Sequence, residues 1–181
     1  MEISDFITIF LSIFTLIATI WIPHKIKWEQ LYQQLLSEYR SHEFGVAIME
    51  IGKFFHNECG NDVENIPGKY AERFSKEVSN EFDKETEHVL HYQRRLLTQF
   101  YYQLDLCAKS IFIGKRRVQR DFSSKESDLL KIVFYMNEAC LNSDVFIDIR
   151  TSDRIGSAKK GMNSYINHVY SILKESPAYV R

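Results

Sequence analysis

Apolar and polar positions alternate along this chain in two different ways. From Phe6 to Ile22 (FITIFLSIFTLIATIWI) seventeen consecutive residues carry no charge, and Pro23, His24, Lys25 and Lys27 follow at once. At about 1.5 Å per residue such a helix measures roughly 25 Å, and nearly 30 Å if Ile3 to Asp5 join it, which is the thickness of a bilayer core. The run therefore predicts one transmembrane helix, with residues 1–23 as a membrane anchor. Beyond it the pattern becomes amphipathic. Trp28, Leu31, Tyr32, Leu35 and Tyr39 recur at three and four, as a helix half-buried against a core requires. Pro23 lacks an amide donor and disfavours helix at Ile22, so a break at the membrane surface is expected there.

The same periodicity continues to the end of the chain. Val46, Met49, Ile51, Phe54 and Phe55 form a second segment or an extension of the first. Residues 57–68 (NECGNDVENIPG) read as a loop. Phe74, Val78 and Phe82 step by four after Tyr70. Val89, Tyr92, Leu96, Phe100, Leu104 and Ile111 resume the pattern, giving one very long helix or two joined near residue 85, ending by Gly114. Ser123 and Glu126 have the spacing of a capping box ahead of Leu129, Leu130, Val133, Phe134 and Leu141. Met162, Ile166, Val169 and Leu173 outline a last helix. Val145, Ile147 and Ile149 alternate briefly, but a lone strand has nothing to pair with. The expected fold class is all-α: a single N-terminal transmembrane helix, then a helical bundle over residues 24–181 with one long helix or helix pair.

Charge placement orients the anchor. Glu2 and Asp5 precede the run, with no Lys or Arg, whereas Lys25, Lys27 and Arg40 follow it. Basic residues flanking a span are retained on the cytoplasmic side. The expectation is a single-pass protein of the inner or plasma membrane, N-terminus outside and C-terminal domain cytoplasmic. A cleaved signal peptide would need a basic n-region and small residues at the cleavage site. Here the n-region is acidic, and Trp21, Ile22 and Pro23 occupy that place; a buried helix of a soluble core is the remaining alternative. Within the span, Thr8, Ser12, Thr15 and Thr19 fall within an arc of roughly 60°, opposite a bulky stripe of Phe6, Phe10, Ile13, Ile17 and Ile20. Small and hydroxylated residues let helices approach closely in lipid, so this stripe is a candidate helix–helix contact. The same hydroxyls can instead bond back to their own helix carbonyls.

Composition adds limits. Of 24 acidic residues two precede the span, so 23 basic residues face 22 acidic ones beyond it, and no global field draws in nucleic acid. Only 3 Pro and 7 Gly favour long helices, and 13 Phe with 10 Tyr supply bulk for a core. Cys59, Cys107 and Cys140 are few, odd in number and widely spaced, as free thiols in a reducing compartment would be.

Chemistry is sparse. Glu85 and His88, with His91 nearby, make the one metal-like grouping, and a polar helix face accounts for it more simply. No phosphate-binding glycine loop, nucleophile elbow, H-E-x-x-H or C-x-x-C occurs, and no Arg is followed by His at the four-to-six spacing of helical ribonucleases. Neither a catalytic residue nor a cofactor is expected. Arg94 and Arg95 read as solvated or ion-paired. Lys115, Arg116, Arg117 and Arg120 put four charges into six residues. They suit anionic headgroups or nucleic-acid phosphates, or simply offset the dipole of a helix ending near Ile113.

Around QRRLLTQFYYQLDLCAKSIFIGKRRVQRDF the chain resembles a group of small bacterial membrane proteins of unknown function. The features shared are a short N-terminal membrane helix, a Trp-bearing exit helix, Gln93-Arg94-Arg95, and a basic turn before a further helix, over residues 1 to about 142. The resemblance implies a helical cytosolic domain and assigns no catalytic site. Together these features lead to the expectation of a membrane-anchored interaction or regulatory protein. Its partners would be the lipid bilayer and a protein partner, or a second copy through the membrane helix. The alternative is an oligomerising membrane effector that perturbs the bilayer, in a defence or stress setting.

Overall fold

The computed structural model describes residues 3–79, 90–142 and 164–175, with side chains over 7–74, 90–140 and 164–175. These residues form helices joined by short turns and contain no strand. The helices are α1 (Ile3–Tyr39), α2 (His42–Asn57), α3 (Ile66–Ser79), α4 (Leu90–Lys109), α5 (Gly114–Asp121), α6 (Glu126–Asn142) and α7 (164–174). The expected all-α bundle behind a long apolar helix is what the chain forms. Residues 145–149, with their brief alternation, lie outside the described residues.

One helix, α1, has two environments. Over its first half the large apolar side chains are bare: Phe10, Phe14 and Leu16 are each more than 60% exposed. From Trp28 onward the same helix packs into the bundle, with Tyr32 and Leu35 fully buried and Leu31, Leu36 and Tyr39 against the core. The break expected at Pro23 is absent, since the helix runs through it. The proline still leaves the Thr19 carbonyl without its usual amide partner. One stretch of chain holds the rod from that turn onward: Trp21 meets Phe112, and Glu29 and Tyr32 bond to Arg117 and Asp121.

The turn that follows is capped. Ser41 accepts from the Phe44 amide at 3.1 Å, so α2 starts as a separate helix rather than extending α1. Phe44, Ala47, Ile51 and Phe54 form its buried face, while Met49 is exposed. Residues 58–65 turn the chain through Gly60 and Asn61, both at φ 63°, a left-handed conformation that glycine and asparagine tolerate best. The segment expected as loop to residue 68 is shorter than that. The α3 helix already begins at Ile66, with Pro67 in its first turn, where a missing amide donor costs nothing.

Of the two arrangements open around residue 85, two separate helices are found, α3 and α4; the connection at 80–89 lies outside the described residues. The α4 helix is the centre of the bundle, and ten of its twenty residues are buried. It packs against α1, α2, α5 and α6. At its middle, Phe100 lies 4.5 Å from Phe44, 5.9 Å from Tyr39 and 5.8 Å from Phe122, ring centre to ring centre. Tyr39 also touches Phe44 and Phe122. This aromatic knot ties α1, α2, α4 and the α5–α6 junction together. All three cysteines are free and buried, and burial pushes the Cys59 and Cys107 thiols up to about 11.

Candidate functional site

The proposed capping box at α6 does not close. Ser123 Oγ accepts from the Lys125 amide, and Glu126 instead turns its carboxylate inward to accept from the Tyr39 hydroxyl at 2.8 Å. Burial raises the Glu126 carboxyl above its ordinary range, against the opposing bonds from Tyr39 and Tyr101. The residue that looked like a helix cap is a fastening between α6 and the end of α1.

The basic cluster is a helix of its own, α5, rather than the C-terminal turn of α4. Lys115, Arg116 and Arg117 sit near the positive end of its own dipole, so offsetting that dipole does not account for them, whereas Arg120 lies in its last turn. Ion pairs do. Arg117 bonds Glu29 of α1 at 2.5 Å and lies 4.8 Å over the Tyr32 ring. Lys115 pairs with Glu175 at the end of α7 at 2.8 Å, Arg120 pairs with Asp121 at 2.9 Å, and Arg116 is exposed. The Arg117 hydrogen bond holds the Glu29 carboxyl below its usual value. At Asp121 burial pushes upward, but the bonds from Arg120 and Tyr32 outweigh it and the carboxyl is lowered. Tyr32, desolvated and donating to Asp121 at 2.9 Å, has its hydroxyl raised far out of reach of ionisation. Three of the four basic residues thus brace α5 against α1, α7 and its own C-terminal end.

In the apolar half of α1, Ser12 Oγ donates to the Thr8 carbonyl at 2.8 Å and Thr19 Oγ1 donates to the Thr15 carbonyl at 2.7 Å. Two hydroxyls of the stripe formed by Thr8, Ser12, Thr15 and Thr19 therefore spend their protons within α1. The stripe remains exposed along the helix.

Two polar groups were not singled out as sites. Arg94, expected to be solvated or ion-paired, is instead 9% exposed and bonded to neutral groups. Its Nε donates to the Tyr70 hydroxyl at 2.9 Å, one terminal nitrogen donates to the Asn137 side-chain oxygen, and the other faces His91 Nδ1 at 3.4 Å. Asn137 donates in turn to Thr98 Oγ1, and Thr98 donates to the Arg94 carbonyl. Desolvation, helped by the Arg94 and Arg95 charges, lowers the His91 imidazole to about 4. His91 packs edge-on against Phe74 at 5.0 Å. Glu85 and His88, its companions in the metal-like grouping, lie outside the described residues. Among the described residues no three His, Cys, Asp or Glu side chains converge. An arginine at an internal position of an amphipathic helix, flanked by Leu90 and Leu97 on the buried face, was the one signal that could have revealed this cage.

The second group is Asp105, nearly fully buried on α4. Its carboxylate accepts from Lys109 Nζ at 2.6 Å and bonds His168 Nδ1 of α7 at 2.7 Å. Asp–His pairing of this kind orients an imidazole, and among the described residues no side chain besides Asp105 hydrogen-bonds that ring. The pair acts as a clamp holding α7 on α4, beside the Tyr102–Tyr165 contact. Replacing Asp105 by Ala removes two charge-assisted bonds and should cost about 2 kcal/mol. The loss should be local, read as faster amide hydrogen exchange over residues 164–174 than over α2; equal acceleration in both would argue against a clamp.

No family model, curated protein or solved structure matches this chain.

Proposed function

We propose that this chain is a single-pass membrane protein whose helical domain serves as an interaction or regulatory module for a protein partner, held at the inner or plasma membrane with the domain on the cytoplasmic side. One observation carries the reading: a single helix is apolar and bare over its first half and buried in a folded core over its second. A row of Ile, Leu and Phe that exposed is stable only in lipid or under another apolar cover. Lys25 and Lys27 after the run, and acids alone before it, supply the orientation. The buried polar groups described above are engaged in holding helices together, which favours binding over catalysis. The oligomerising-effector reading rests on Thr8, Ser12, Thr15 and Thr19, and it ranks second because Ser12 and Thr19 have committed their protons to their own helix.

Cell fractionation tests the anchor. The full chain should stay with membranes through an alkaline carbonate wash, and a C-terminal tag should resist protease until the cytoplasmic face is opened. A version lacking residues 1–23 should move to the soluble fraction with a helical circular dichroism spectrum. Extraction of the full chain by carbonate, or a tag cleaved in intact cells, would overturn the anchor or its orientation. Affinity capture in mild detergent tests the module; recovery of the protein alone across growth and stress conditions counts against it.

A further inference from the structure

The loop between α4 and α5 breaks the burial pattern. Ile111 is 85% exposed, more than any other large apolar residue among those described. Its neighbours turn inward: Ile113 is buried, and the Phe112 ring meets the Trp21 ring edge-on at 5.2 Å. Gly114 follows at φ 76°, a conformation open to glycine, and there the chain reverses to start α5. Ile111 is left at the tip.

The height of that tip follows from its neighbours. Phe100, in the middle of α4, stacks on Tyr39 at the far end of α1, and the helix then descends along the rod until Phe112 reaches Trp21. Trp21 is the penultimate residue of the uncharged run, so the tip stands where hydrocarbon gives way to headgroups. Charge at this level is arranged to match. Glu29, Glu175 and Asp105 are held by Arg117, Lys115 and Lys109. The exposed cations Lys25, Lys27 and Arg116 stand outside those pairs, with the Lys25 ammonium 5.5 Å from the centre of the Trp21 ring.

We propose that the loop at residues 110–114 is a second membrane contact, in which Ile111 enters the headgroup layer beside α1 while Lys25, Lys27 and Arg116 meet the phosphates of anionic lipids. It rests on the reading of α1 as a membrane span. A bulky apolar tip with exposed cations on the adjoining helices suits that layer, where each basic side chain gains from a negatively charged surface. The domain then stands on two feet, the span and the loop.

The test uses the full chain in vesicles of phosphatidylcholine and phosphatidylglycerol, with an environment-sensitive fluorophore on one introduced cysteine at a time. The positions are Leu16→Cys in the span, Ile111→Cys at the tip and Glu64→Cys in the α2–α3 turn; the unsubstituted protein measures labelling of its buried thiols. Nitroxides at shallow or deep positions of the lipid chains report depth. The label at 16 should be quenched most by deep nitroxides, the label at 111 several-fold more by shallow ones than the label at 64, and the label at 64 scarcely at all. If 16 is quenched and 111 behaves like 64, the loop contact is wrong and the span stands. If neither is quenched, the span is wrong and the loop contact falls with it. A blue-shifted but unquenched label at 111 means that protein, in a second copy, covers the tip, which also overturns the proposal. Equal quenching at 111 in vesicles of phosphatidylcholine alone would remove the part assigned to the three cations.

Discussion

Replacing Phe100 by alanine should lower the stability of the bundle by about 3–5 kcal/mol. The side chain is fully buried, and its ring contacts those of Tyr39, Phe44, Tyr101 and Phe122. These come from α1, α2, α4 and the α5–α6 junction, so the cavity left behind is lined by elements that cannot collapse together without moving the others. The four lost ring contacts, of a kind worth about 0.5–1.5 kcal/mol each, place the effect towards the upper end of that range. In thermal melts of the full chain in mild detergent, each kcal/mol should lower Tm by roughly 2–4 °C for a protein of this size. Met49→Ala is the control: Met49 is exposed on α2 and should change stability by no more than about 0.5 kcal/mol. A Phe100 variant that melts with the control would mean that the aromatic knot does not organise the fold.

Arg94→Ala is expected to cost about 3 kcal/mol. The substitution takes a donor from the Tyr70 hydroxyl and from Asn137, and opens space between α3, α4 and α6. Arg94→Lys keeps the charge but lacks the planar fork that reaches Tyr70 and Asn137 at once, so it should recover only part of the loss. A pH signature accompanies the cage. The His91 imidazole is lowered to about 4, chiefly by burial and then by Arg94 and Arg95, against 6.5 when unfolded. Between those values the unfolded chain binds a proton that the folded chain refuses. The stability from a neutral His91 is therefore complete above about pH 6.5 and falls as pH drops towards 4. Because the ring is only half buried, about 1–2 kcal/mol is expected. Glu126, whose carboxyl is raised by burial, titrates with the opposite sign nearby, since it favours the folded state at low pH. The measurement is thus a difference: denaturant midpoints at pH 7 and pH 4.5 for the parent and for His91→Gln. An equal drop in both would remove His91 from the account.

The parts of this fold that were legible in the sequence are those where one physical rule dominates. An uncharged run of seventeen residues and the spacing of Trp28, Tyr32 and Leu35 leave few alternatives, and α1 follows both. Pro23 was misleading because its local penalty is met by contacts over eighty residues away in sequence, from Phe112 and Arg117, which no local rule contains. Glu126 fits a capping box by spacing, yet the nearby Tyr39 hydroxyl offers its carboxylate a stronger bond than an amide at the helix start. The basic cluster was visible as charge. Its partners Glu29 and Glu175 were not, because an ion pair between distant segments leaves no trace in spacing. Arg94 was hidden for a related reason: its acceptors are a tyrosine, an asparagine and a histidine, residue types too common to single out.

The unbroken course of α1 through Pro23 has a mechanical consequence. From Trp21 to Tyr39 the helix is fastened along about 27 Å of its length, by Phe112 at one end and by Phe44, Phe100 and Phe122 at the other. The helix is continuous between the apolar half and this fastened half, with the unpaired Thr19 carbonyl at their boundary. A run of roughly 25 Å is short for the thicker cellular membranes and close to the thinner ones, and spans adapt to such mismatch by tilting or by deforming the lipid around them. In the membrane-spanning reading proposed above, a tilt or axial turn of the apolar half passes through this continuous helix to the bundle, so the thickness of the surrounding membrane would bear on the angle at which the domain faces its compartment.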